Sequence, residues 1–154
     1  MELANLFKEQ KIAGTMHFDR DASGEDTSIS KKLLTLQAEL GTLVIETGCC
    51  DITYLGENLH NHSLLEKYML CFHLIITIGL EKDYTGITID PKLPEYDFTQ
   101  QFLNLFIDIN DFVVFSYRDH YITLVEDYLG LGLKLGFTEE EIQKASNFQS
   151  KVLT

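Results

Sequence analysis

The stretch Ser63–Lys82 constrains this chain more than any other. Leu64, Leu65, Tyr68, Met69, Leu70, Phe72, Leu74, Ile75, Ile76 and Ile78 are apolar nearly all round a helix, and Ser63 is placed to cap it. A helix without a polar face must be covered on several sides, so it is central. In a chain of 154 residues, part of that cover could come from a second subunit, which predicts a homodimer interface near this helix. The apolar run Tyr68–Leu80 is too short to span a bilayer and contains His73. The length suits one domain, 1–154, with a sizeable core.

The other elements follow from spacing. Leu3, Leu6, Phe7 and Ile12 predict a short amphipathic helix over Glu2–Ala13, followed by a polar loop from Gly14 to Ser28. Ser28 or Ser30 would cap a long helix with Leu33, Leu36, Leu40, Leu43 and Val44 on one face, fading by Gly48. A second loop covers Cys49–His62. Pro91 and Pro94 make Asp83–Glu95 irregular, with Thr85–Ile89 as a possible short strand. Asp97–Tyr117 and Asp119–Leu135 read as helices, Gly136 as a stop, and Thr138-Glu139-Glu140-Glu141 as a capping box opening a last helix. The fold class is all-α, a bundle of about six helices.

Charge narrows the partners. With 12 basic and 24 acidic residues the net charge is −12. That disfavours nucleic acid and anionic membranes, both of which call for Lys and Arg. A polyanionic substrate would need bound cations or a local basic pocket. Three cysteines, Cys49, Cys50 and Cys71, are not a disulfide framework. Met1–Lys8 carries no signal-peptide core, so a reduced cytoplasm is the expected location.

Candidate chemistry centres on glutamates. Glu39 and Glu46 lie two turns apart on the first long helix, with Thr42 between, and Glu66 lies on the central helix. Carboxylates converging from facing helices hold hard divalent cations. The position three after Glu39 is Thr42, however, and three after Lys67 is Leu70. A bundle with solvated or paired glutamates accounts for the same residues. His60-Asn61-His62 lacks a matching cluster, His73 reads as a core histidine, and Asp108 and Asp111 read as a solvated face. Gly130-Leu131-Gly132 lacks the phosphate-loop pattern, and close helix packing is its simpler use.

A collinear set of segments resembles the all-α dimeric dUTPases of bacteria and phages, within the MazG-like nucleoside triphosphate pyrophosphohydrolases. It comprises Leu6-Phe7-Lys8-Glu9-Gln10, Glu39-Leu40-Gly41, Glu46-Thr47, Leu65-Glu66-Lys67-Tyr68, Phe72-His73, Ile78-Gly79-Leu80, Tyr128–Thr138 and Glu141-Ile142. The resemblance implies hydrolysis of dUTP to dUMP on magnesium held by Glu-x-x-Glu and Glu-x-x-Asp pairs on neighbouring helices. Metals of that kind neutralise the phosphate chain and activate water.

The matched positions depart from that pattern. Glu39 fits the first ligand, while Thr42, Lys67 and Leu70 replace the other three carboxylates. Gln10 fits a residue of the uracil pocket, but Gly14 stands where an acid belongs. Cys50-Asp51-Ile52-Thr53 replaces a Phe-Lys-x-Trp element, and Ala145–Lys151 stands where the resemblance implies a Lys-Asn-rich segment that meets the phosphates. The reading is a vestigial site comprising Glu39, Thr42, Glu46, Glu66, Lys67 and Leu70, with Gln10 and His73 as the residual substrate contacts. Only Glu39 remains to hold Mg2+. An ion pair between Glu39 and Lys67 would make the lysine a structural replacement for the metal. The expected protein is an inactive or weak homologue with a binding or regulatory role, in a bacterium or prophage. The rival is an active pyrophosphatase in which Glu39, Glu46 and Glu66 hold one metal, assisted by His73 or Asp51.

Overall fold

A computed structural model describes residues 25–50 and 62–152, with side chains for 28–50 and 63–145. Five helices follow in order: α1 (Glu25–Thr47), α2 (His62–Glu81), α3 (Phe98–Val114), α4 (Arg118–Lys134) and α5 (Glu139–Val152). The described residues contain no strand. The helix expected over Glu2–Ala13, and with it Gln10 and Gly14, lies outside them.

α1 begins at Glu25, three residues before the expected cap. Ser28 is therefore inside the helix, and its hydroxyl accepts from Lys32 Nζ at 2.6 Å. Leu33, Leu36, Leu40 and Leu43 are buried at a spacing of three and four residues and pack mainly on α2. α2 opens at His62, one residue before Ser63. Two ion pairs tie its ends to α1: Lys67 Nζ to Glu46 Oε2 at 3.0 Å, and Lys32 Nζ to Glu81 Oε1 at 2.5 Å. They join the end of α1 to the start of α2 and the reverse, so the two run antiparallel.

Ser63–Glu81 is long and apolar enough to cross a bilayer, by length and composition only. Half of that window is buried inside this fold, against α1, α4 and α5. The chain's own helices therefore cover about half of this helix. Aromatic rings fill the α2–α4 seam. Tyr68 and Tyr128 stack at 4.7 Å and exchange hydrogen bonds: Tyr68 Oη donates to Tyr128 O at 3.1 Å, and Tyr128 Oη donates to Tyr68 O at 2.7 Å. Tyr121 Oη donates to Ile75 O at 2.9 Å. Each buried hydroxyl thus ends on a backbone carbonyl.

Glycines make this approach possible. A Cβ at Gly132 would collide with the Tyr68 hydroxyl, and one at Gly79 with the Tyr121 hydroxyl. Close packing is thus the use of the glycines around residue 130. The expected strand Thr85–Ile89 is irregular connection instead. Within it Gly86 O accepts from Arg118 Nη2 at 2.8 Å, and just past it Asp90 N donates to Glu126 Oε1 at 2.9 Å. Asp97 caps α3, accepting from Gln100 N at 2.8 Å. Gly136, with φ +85°, ends α4. Thr138 and Glu141 close the capping box, at 3.1 Å from Glu141 N to Thr138 Oγ1 and 2.7 Å from Thr138 N to Glu141 Oε2.

Candidate functional site

The glutamate-bearing edges of α1 and α2 lie side by side, as the antiparallel pairing requires. Glu39 is half-buried on α1. The Thr42 hydroxyl turns back along its own helix and donates to Ala38 O at 3.2 Å. Glu46 accepts from Lys67, and that hydrogen bond, foremost, holds its carboxyl below the ordinary carboxylate value, with Ser63 adding a second bond. Glu66 is exposed, and Leu70 is 42% exposed.

The lysine therefore meets a different glutamate from the one the matched positions suggested. Its partner is Glu46, not Glu39, because its ammonium reaches towards the end of α1. Glu39 lies near Cys71 instead. Burial first, and the Glu39 charge to a lesser degree, push the Cys71 thiol up to about 12. Burial also lowers His73 to about 4, so its imidazole is neutral at pH 7. Asp51 and the side chains of His60 and His62 lie outside the described residues.

The fold and this face define an all-α domain organised on one antiparallel helix pair, with glutamates along the seam. The family model described as dUTPase matches residues 2–151, and the chain belongs to that all-α dUTPase family. No curated protein matches the chain, and no solved structure does.

The resemblance implies magnesium, and the residues present do not fit it. Among the described residues no three His, Cys, Asp or Glu side chains are placed to share a cation. Glu39, Glu46 and Glu66 are all described and do not form such a group. At the matched ligand positions stand a hydroxyl bonded to its own helix, an ammonium bonded to a carboxylate, and an aliphatic side chain. A hard cation needs several oxygens around it, and one glutamate does not supply them.

Two features escaped the sequence reading. Asp108 is half-buried, whereas its neighbour Asp111 is exposed as expected. Burial first, and then Asp127 facing it from α4, raise the Asp108 carboxyl to about 8, so it is protonated at pH 7. The available signal was its place beside the buried Leu105, Ile109 and Phe112, which sets it at the edge of the packed face. The second feature is the approach of Cys49 to Cys50, where adjacency in sequence left the side-chain directions open.

Proposed function

We infer that this dUTPase-family chain no longer hydrolyses nucleotides on magnesium and acts through binding or regulation. The observation that supports this most is the Lys67 ammonium, held by Glu46 where the family pattern calls for a metal-binding carboxylate. A positive charge there repels the cation that phosphoryl chemistry would need. Thr42 and Leu70 act in the same direction by offering no anionic oxygen. The MazG-like ancestry of the scaffold belongs to this reading, as does a cytoplasmic setting in a bacterium or prophage. A homodimer fits the exposed apolar side chains of α3, Leu103, Ile107 and Val114.

The test is pyrophosphate release from dUTP with magnesium, beside calorimetric titrations with dUTP, dCTP and dTTP. The expected result is no release at an enzyme-like rate. Magnesium-dependent release that Glu39→Ala abolishes would overturn the reading. Thr42→Glu, Lys67→Glu and Leu70→Asp together should create magnesium binding that the parent lacks. Its readout is a rise in melting temperature on adding magnesium in the triple variant alone.

A further inference from the structure

We propose that Cys49 and Cys50 form a two-sulfur site for a thiophilic divalent cation, zinc or its heavier congener cadmium. Both sit in the turn that ends α1. Gly48, with φ +67°, breaks the helix, and its N–H donates to Ile45 O at 3.0 Å. Thr47 is buried, with its hydroxyl donating to Val44 O at 2.8 Å, and this anchors the turn. Cys49 is half-buried, with Sγ 3.9 Å from Val44 O, and Cys50 is exposed. The tight turn brings two successive side chains to the same side, with the sulfurs 3.9 Å apart.

That separation favours a metal over a disulfide. Two sulfurs on one tetrahedral zinc, each bonded at about 2.3 Å, lie about 3.8 Å from each other. The thiols therefore already stand at the bite such an ion requires. A direct S–S bond would be only about 2.0 Å long, and it would join Cα atoms about 3.8 Å apart, closer than unstrained disulfides allow. Inserting a cation between the sulfurs avoids this contraction.

The surroundings favour positive charge. α1 directs its last carbonyls towards the turn, its last turn carries no basic residue of its own, and the Lys67 ammonium beside that turn is paired with Glu46 at 3.0 Å. The net charge of −12 adds a general attraction for cations. Soft thiolates select zinc-like ions over magnesium, so this site is chemically separate from the glutamate face. Binding converts two thiols to thiolates: one cation is taken up, two metal–sulfur bonds form, and two protons leave for the solvent. Water fills the remaining positions.

Cadmium titration of the full chain tests this, read by the sulfur-to-cadmium charge-transfer absorption, with zinc followed by calorimetry. The expected result is one cation per chain with release of two protons. Cys50→Ser, at an exposed position, and Cys49→Ser should each abolish the absorption, while Cys71→Ala should keep it. Absence of the absorption, its survival in Cys50→Ser, or one cation per two chains would each overturn the proposal.

Discussion

The two sides of α2 are held by different rules. On the α4 side, Tyr68 stacks on Tyr128, the two hydroxyls cross to each other's backbone, and Gly132 clears the space. On the edge beside Glu46, Lys67 makes one ion pair at 3.0 Å and Leu70 is partly exposed. The first side specifies residues by shape and by hydrogen bonds in a dry interior, where a single methyl is felt. The second asks only for side chains that tolerate water. A helix divided this way can keep its packing while its polar edge changes. This is how the family's fold can persist on a helix that carries Lys67 and Leu70 along its polar edge.

The sharpest way to break this contrast is the same substitution at two glycines. Gly132→Ala drives a methyl into the Tyr68 hydroxyl, and the ring cannot retreat because Tyr128 stacks on it. A loss of about 1–3 kcal/mol is expected, read as a fall in melting temperature. Gly41→Ala, within α1 and with nothing within 4 Å of the new Cβ, should instead gain up to about 1 kcal/mol from helix propensity. Equal effects at the two sites would remove the distinction between the sides. Tyr128→Phe comes next. It removes the 2.7 Å bond to Tyr68 O, a carbonyl that keeps its place in the backbone ladder of α2, at a cost of about 1 kcal/mol. Urea unfolding checks it, with the slope unchanged if the loss is local.

Much of the packed side was legible beforehand. Leu33, Leu36, Leu40 and Leu43 repeat at the helical period, Gly136 stands where a left-handed residue must stop α4, and Thr138 with Glu141 opens α5. These signals are local, so one segment suffices to read them. The ion pair of Lys67 was not legible, because its partner depends on the register between two helices and on the reach of a long side chain. Asp108 was hidden for the same reason: Asp127, which faces it, belongs to the next helix. The strand expected over Thr85–Ile89 failed because β-propensity has no effect without a neighbouring strand to pair with.

Asp108 gives a prediction of intermediate size, with its own sign. Its value rises from 3.8 to about 8 on folding, so the folded chain holds a proton that the unfolded chain has lost. Its contribution to stability is present below 3.8 and is lost as pH rises towards about 8. His73 works the other way. Its value falls from 6.5 to about 4, so stability is lost as pH drops through that window. Asp108→Asn should remove the alkaline slope, keep the acid slope of His73, and add about 1 kcal/mol near pH 8 after allowance for solvent screening of a half-buried group. Melting curves from pH 4 to 9 check this, and an unchanged alkaline slope would mean that Asp108 is solvated.

Lys67→Met should have the smallest effect, and it bears most directly on the polar edge. About a third of the lysine side chain is exposed and the glutamate is also in contact with water, so the pair is screened. Its loss should cost under about 1 kcal/mol, less in high salt. The direction with pH follows from Glu46, whose folded value is lowered by the Lys67 hydrogen bond. That stabilisation is present above the ordinary value of 4.5 and is lost as pH falls through the folded value. The difference between parent and variant should therefore vanish in acid. A lysine that had replaced the metal as a structural strut would behave otherwise, because removing it would leave Glu46 without its counter-charge and cost several kcal/mol at pH 7. A small, salt-sensitive cost would show that this edge is free of packing constraint, and a large one would join it to the aromatic side as part of the core.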